Sequence, residues 1–450
     1  MSFIADKQTL DDLGILNRYR SDAVFTLFNQ VKTNGGERLL EEMFRNVLTN
    51  EQEMNDRSNT FRYFQQLSLV FPFSREQADA MEDYLGAGHQ KRLPATLLAI
   101  VGKKLTGAFV GDKSFVALVS GVQTTIAVLK LMRTFVNKID EHAGDHPFSA
   151  SINELKRILD DKRIAVVWKE KAERINSVSL LAKFDYLFRA VLYTEMKQLL
   201  TMMYQLDVII TVSNIAKDRG FSYATALEKG KHVFRASDLR HPGIKKAVGN
   251  TLELSAQSNL IFLTGANMAG KSTIMKSFGI AVYMAHIGFP VAASEMTFSV
   301  KDGLFSSINV PDNLQMGYSH FYAEVLRVKK VAEAVAKSKD LVIIFDELFK
   351  GTNVKDAYDA TLSVTKAFAT FRNCFFLVST HIVEVGAALQ EDTDDIQFLF
   401  MPTIMEGNVP RYTYQLTKGI SADRHGMKII ENEGIIDIIR SAATAFPDKV

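Results

Sequence analysis

From about residue 5 to residue 230 apolar side chains recur at three and four positions, with few strand-like alternations, and the only prolines are Pro72, Pro94 and Pro147. That spacing predicts a helical half. The run Gly144, Asp145, His146 and Pro147 is expected to separate two long helices, while Gly86, Gly88, Gly102, Gly107 and Gly111 mark looser connections. After about residue 232 the texture changes. Leu260 to Leu263, Leu341 to Phe345 and Phe375 to Val378 are short apolar runs set between helical patterns, as in a mostly parallel sheet. Ile396 to Met401 and Arg411 to Leu416 suggest an antiparallel pair around Glu406, Gly407 and Asn408. The expected architecture is an all-α domain over residues 1–231 and an α/β domain over residues 232–450.

Composition narrows this only in part. A chain of 450 residues with 47% hydrophobic residues can bury more than one core. The formal net charge of +2 neither demands nor excludes a polyanionic partner, so any nucleic-acid surface must be local. Cys374 is the single cysteine, and its apolar run marks it as a small buried residue rather than half of a disulfide. Met1 to Asp12 includes Asp6, Lys7, Asp11 and Asp12, without the basic-then-apolar order of a secretion signal. The most apolar stretch, Phe115 to Leu129, includes Ser120, Gly121, Gln123, Thr124 and Thr125 and falls short of the roughly 20 residues that span a bilayer. A buried helix is expected there, no membrane contact, and a cytoplasmic protein of a reducing compartment.

The chemistry concentrates in the second half. Gly265, Ala266, Asn267, Met268, Ala269, Gly270, Lys271 and Ser272 satisfy G-x-x-x-x-G-K-S between an apolar strand and a helical stretch from Ser272 to Ile287. Glycines let successive N–H groups face phosphates, Lys271 neutralises the outer phosphates and Ser272 is positioned to ligate Mg2+, so the motif predicts ATP. An ordinary glycine-rich turn would not account for the adjacent Lys and Ser. The run Leu341 to Phe345 ends in Asp346 and Glu347, the arrangement in which the Asp holds magnesium and the Glu orients water. A third run ends in Ser379, Thr380 and His381, at the sheet edge where open α/β folds bind ligands; His381 would sense the γ-phosphate or hold water.

These residues resemble the MutS family of mismatch-repair ATPases. Thr264 to Thr273 reads TGANMAGKST against a family TGPNMGGKST, with Asn267, Met268 and Thr273 among the matches. Asp346 to Asn353, DELFKGTN, is similar to DEIGRGTS; Ser379, Thr380 and His381 match STH; and Arg240, His241 and Pro242 match the entry to the ATPase core. The resemblance implies a P-loop, ABC-like ATPase domain behind a helical lever or core domain, with a C-terminal helical extension that closes a dimer. Asp312 to Glu324, DNLQMGYSHFYAE, looks like DDLASGRSTFMVE, which implies that Ser319 completes the γ-phosphate site of a partner subunit in a homodimer. More loosely, Gly36, Glu37, Arg38 and Leu39, and Leu206, Asp207 and Val208, resemble the start and the last long helix of the helical core.

Departures qualify the likeness. Ala266 and Ala269 replace Pro and Gly in the loop, and Lys350 stands for Arg, keeping charge but losing the planar fork. The aromatic that stacks on adenine is missing around Ala247, and Tyr414 is the substitute ring. The helical core starts almost at the first residue, so no mismatch-reading domain is expected within these 450 residues. The resemblance implies a DNA-binding protein that uses ATP to switch a dimeric clamp on mismatched, damaged or branched DNA, with repair proteins as possible partners. An ATP-driven adaptor acting on a protein or ribonucleoprotein is the alternative, and a transporter-type subunit would need an LSGG signature that does not occur before Asp346. The basic stretch Lys156 to Arg174, with Trp168, suits a solvated amphipathic helix better than a phosphate-binding face; Lys91 with Arg92 and Lys103 with Lys104 are equally ambiguous.

Overall fold

The computed structural model describes residues 3–16, 23–110, 113–140, 147–172, 175, 177–308, 320–393, 395–406, 409–421 and 434–445. The chain forms two compact units. One comprises Leu27–Asn46 and Asp56–Asp218; the other comprises Met1–Thr26, Val47–Asn55 and Arg219–Val450.

The first unit is helical, as the apolar spacing predicts. Its helix Arg75–Gly86 opens with a capping box, in which Ser74 and Gln77 satisfy each other's backbone N–H groups. This helix packs closely on Ser114–Asp140, because Gly121 leaves room for Tyr84: a Cβ there would lie 2.6 Å from the Tyr84 Cβ. The two short sequences noted above meet in this unit. Asp207, fully buried on the helix Tyr193–Arg219, accepts hydrogen bonds from the backbone of Lys32 (3.0 Å) and Thr33 (2.7 Å) and from Thr33 Oγ1 (2.7 Å). A Cβ on Gly35 would sit 2.2 Å from the Tyr204 ring, so that helix start can approach Tyr193–Arg219 only as glycine.

Several expectations need correction here. Gly102 and Gly107 do not break the chain but lie inside the helix Leu93–Val110; burial of Thr96 and Ile100 on one face offsets a propensity cost of about 1 kcal/mol per glycine. The stretch from Lys156 is not one amphipathic helix. It divides into the end of Ser149–Leu159, a 3-10 turn at Lys162–Ile164 and the short helix Ala165–Lys169. Arg157 pairs with Glu154, Arg163 with Asp161 and Glu195, and the Arg133 guanidinium lies 4.7 Å from the centre of the Trp168 ring. The apolar run Phe115 to Leu129 belongs to a helix of 27 residues, Ser114–Asp140, which is long and apolar enough to cross a membrane, as is Tyr193–Arg219.

The second unit is built on a six-stranded sheet. In spatial order its strands are Thr417–Lys418, Ile396–Met401, Leu260–Gly265, Phe375–Ser379, Leu341–Phe345 and Gly303–Ser307. All neighbours are parallel except the short edge strand Thr417–Lys418. The central strands Leu341–Phe345 and Phe375–Ser379 are buried along their whole length, which explains their unbroken apolar runs. A second sheet joins Thr225–Leu227, Glu295–Ser299, Val233–Leu239 and Asn250–Ser255. The antiparallel pair expected between Ile396 to Met401 and Arg411 to Leu416 is not formed. Ile396–Met401 instead runs parallel to Leu260–Gly265, and the hairpin joins Thr403–Glu406 to Val409–Tyr412. Pro402, which has no N–H to donate, separates the two strands.

The N-terminal residues also depart from the expected boundary, since Met1–Thr26 belongs to the strand-bearing unit. Ile4 bridges to Gly303 on the exposed edge of the main sheet, and Asp12 accepts hydrogen bonds from Ser306 Oγ (2.7 Å) and Ile308 N (3.0 Å). Asp6 caps the helix Lys7–Asp12 and pairs with Arg327 and Lys330 of the helix His320–Val335. This covers an edge strand that would otherwise present unpaired backbone groups. At the other boundary the helix Tyr193–Arg219 ends at Gly220, whose φ of 62° terminates it in the left-handed region.

Candidate nucleotide site

The loop strand Leu260–Gly265 delivers the chain to the sheet's carboxyl edge, and the helix Lys271–His286 begins there. Between them the backbone turns through positive φ at Gly265 (139°), Met268 (69°) and Gly270 (105°), and the helix N-terminus that follows is the kind of backbone that receives an anion. Gly270 has a second reason to be glycine, since a Cβ would meet Tyr414 Cδ1 at 3.1 Å and Met401 Sδ at 3.3 Å. Ala269 is buried without strain and donates its N–H to Ala266 O at 3.3 Å, while Asn267 and Met268 are exposed.

Lys271 is 5% exposed, and its Nζ donates to Gly265 O (2.8 Å) and Ala266 O (3.2 Å). Burial pushes its pKa below the usual lysine value, while the nearby carboxylates of Glu347 and Asp346 pull it back up. The ammonium is therefore held over the loop, in the field of two acids. Ser272 Oγ donates to Asp346 Oδ2 at 2.5 Å, linking the helix start to the end of Leu341–Phe345.

Strand order explains a contact that the motifs alone do not reveal. Phe375–Ser379 lies between the loop strand and Leu341–Phe345, so its last residue sits among all three ends. Ser379 Oγ donates to Asp346 Oδ1 and accepts the Glu347 N–H at 3.1 Å. The sequence signal was the Ser-Thr-His run, but the role of Ser379 depends on which strand lies in the middle. Glu347 and Phe349 have φ of 54° and 60°, left-handed values that cost a non-glycine residue about 1–3 kcal/mol each and concentrate where geometry matters. Lys350 Nζ lies 3.7 Å from Glu347 Oε2. His381 is exposed just beyond Phe375–Ser379, on the same edge of the sheet. Ser319 lies outside the described residues.

A cavity of about 340 Å³ opens beside the loop, walled by Gly270, Thr273, Ala247, Val248, His241 and Tyr414. Tyr414 therefore faces the same space as Ala247. Its position is fixed from outside the loop: Asn250 Nδ2 donates to Tyr414 O (3.0 Å) and Asn250 Oδ1 accepts from Leu416 N (2.7 Å). A flat apolar group in this cavity would adjoin the phosphate loop. Among the described residues no three His, Cys, Asp or Glu side chains cluster as metal ligands. A divalent ion held at Ser272 and Asp346 would need further oxygens from phosphates and water, the usual arrangement for Mg2+.

Residues 261–448 match the model of MutS domain V. Among curated proteins, the chain is 29% identical over 233 residues to the DNA mismatch repair protein spellchecker 1 of Drosophila melanogaster, covering 50% of this chain and 25% of that protein. It is 27% identical over 242 residues to the DNA mismatch repair protein MutS of Pseudothermotoga lettingae, covering 53% and 29%. With MutS of Bacillus licheniformis the figures are 28% over 256 residues, 55% and 29%. The match thus spans between a quarter and a third of the length of these relatives. The second half of the chain, with the phosphate loop, the acidic pair and the Ser-Thr-His run in one place, is thus similar to domain V of MutS proteins.

Proposed function

We propose that this chain binds and hydrolyses ATP with Mg2+ and uses the cycle to drive a MutS-type dimer on DNA. One observation carries the reading: the Ser272 hydroxyl is hydrogen-bonded to Asp346 at 2.5 Å, beside a buried Lys271 and on three neighbouring strand ends. On this reading Lys271 moves from the carbonyls of Gly265 and Ala266 to the outer phosphates, and the loop N–H groups from Gly265 to Thr273 cradle them. Ser272 and Asp346 would hold Mg2+, which neutralises charge on the phosphate oxygens when bound. Glu347 orients a water molecule for in-line attack on the γ-phosphorus. The bond to the β–γ bridging oxygen breaks, ADP and inorganic phosphate leave, and the water proton passes to phosphate or solvent. On this reading His381, exposed at the same sheet edge, senses the γ-phosphate or holds that water, and Tyr414 offers its ring to the base.

DNA as the polymer is supported by the names of the relatives, all DNA mismatch repair proteins. The likeness of Asp312 to Glu324 to the family segment supports Ser319 acting across a homodimer, and repair proteins in the cytoplasm are the corresponding partners. The test is steady-state ATP hydrolysis by the full chain, with and without homoduplex, mismatched and branched DNA. The expected outcome is Mg2+-dependent turnover that changes at least several-fold with one of these DNAs. Turnover indifferent to every DNA would favour the adaptor acting on a protein or ribonucleoprotein, and an absence of turnover would sink both.

A further inference from the structure

The helix Leu93–Val110 has an apolar face that the proposed nucleotide chemistry leaves unused. Leu93, Leu97, Leu98, Val101 and Leu105 are all exposed, Leu98 by 73% and Leu105 by 54%. With 3.6 residues per turn these five lie within an arc of about 140°. Thr96 and Ile100 lie outside that arc and are the buried residues of the helix among those whose side chains are described, so the exposed leucines are not its packing face. Val116, at the start of the neighbouring helix Ser114–Asp140, is a further exposed apolar residue, at 67%. So many large apolar side chains on adjoining elements mark an interaction surface rather than scattered exposure.

Charge indicates what covers it. Lys104 falls within the arc of the exposed leucines, and Lys91, Arg92 and Lys113 flank the two ends of the helix. Among the described residues no salt bridge reaches Lys91, Arg92, Lys104 or Lys113, whereas Arg157 and Arg163 are each paired. We propose that this face docks on the anionic surface of a lipid bilayer, its leucines entering the headgroup–acyl boundary and its lysines meeting lipid phosphates. Duplex DNA would match the lysines but offers its backbone nothing to receive Leu98 and Leu105. A second copy would bring the same positive face against itself. Docking on the surface, not crossing, follows because Val122, Ile126, Leu129, Met132, Val136 and Ile139 of Ser114–Asp140 are already buried in the helical unit.

The test is co-sedimentation of the full chain with vesicles of phosphatidylcholine alone or of phosphatidylcholine and phosphatidylglycerol, 3:1, at low and physiological salt. Binding is expected to the anionic vesicles at least tenfold more tightly than to the neutral ones, and to weaken with salt. The doubly substituted Leu98→Glu, Leu105→Glu chain should lose at least tenfold in vesicle affinity with an unchanged circular dichroism spectrum and melting temperature. Lys91→Glu with Lys104→Glu should also weaken it. Failure to bind anionic vesicles overturns the proposal, as does binding untouched by the leucine substitutions. Duplex binding lost with the lysines, or self-association lost with the leucines, in the absence of vesicle binding would assign the face to nucleic acid or to a second copy and equally overturn it.

Discussion

Ser379 shows how one hydroxyl can organise a site assembled from separate strands. It donates to Asp346 Oδ1 and accepts from the Glu347 backbone, so it orients the carboxylate toward Ser272 and pins the strained residue that follows. Ser379→Ala should leave ATP affinity within a few-fold, because Lys271 and the loop N–H groups are untouched, yet lower turnover roughly tenfold or more, the scale of losing one positioned hydrogen bond of about 1.5 kcal/mol. Separate measurements of nucleotide affinity and turnover check this; equal losses in both would mean that Ser379 supports the loop as a whole. Lys271, Ser272, Asp346 and Glu347 were legible from sequence because each sits in a short motif whose residue types have distinct tasks. Ser379 was legible only as part of a run, since its partners depend on strand order. Tyr414 was legible as a ring lacking a place, and the place is the cavity that Ala247 leaves open.

At the scale of elements, the helix Lys271–His286 ends on a buried histidine that links it to the segment after Glu295–Ser299. His286 Nδ1 lies 2.7 Å from Val282 O, and its Nε2 accepts the Lys301 N–H at 3.1 Å, so a neutral ring with the proton on Nδ1 satisfies both contacts. Phe3 and Phe298 pack on the ring, and burial pushes its pKa from 6.5 down to about 4, helped by the positive charge of Lys301 and opposed by the Val282 carbonyl. An unfolded chain takes up this proton near pH 6.5 and the folded one only near pH 4. The folded state is then favoured fully above pH 6.5 and loses about 3 kcal/mol as pH falls to 4. Urea unfolding of the native chain and His286→Gln across this window should show a flatter pH dependence in the variant; identical slopes would contradict it. Elements with unbroken apolar runs, such as Leu341–Phe345, were legible almost to the residue, as full burial leaves no competing pattern. Gly102 and Gly107 misled because tertiary packing outweighs local propensity, and the hairpin after Pro402 misled because pairing partners are not a local property.

At the scale of the whole molecule, two units with different tasks share one chain, and their division is not a single cut. Met1–Thr26 belongs to the strand-bearing unit because Ile4, Asp6 and Asp12 complete the edge of its sheet, an attachment between residues some 300 positions apart that no local pattern announces. The phosphate-loop, acidic-pair and Ser-Thr-His residues gather at the carboxyl ends of the sheet, and the exposed leucines gather on the helical unit. The account turns on the first of these being an ATP engine. ATP affinity and turnover measured side by side in Lys271→Ala and Glu347→Ala test this most directly. The account predicts that Lys271→Ala loses binding at least tenfold, and that Glu347→Ala keeps near-native affinity while turnover falls at least a hundredfold. Native ATP affinity in Lys271→Ala, or native turnover in Glu347→Ala, would contradict it.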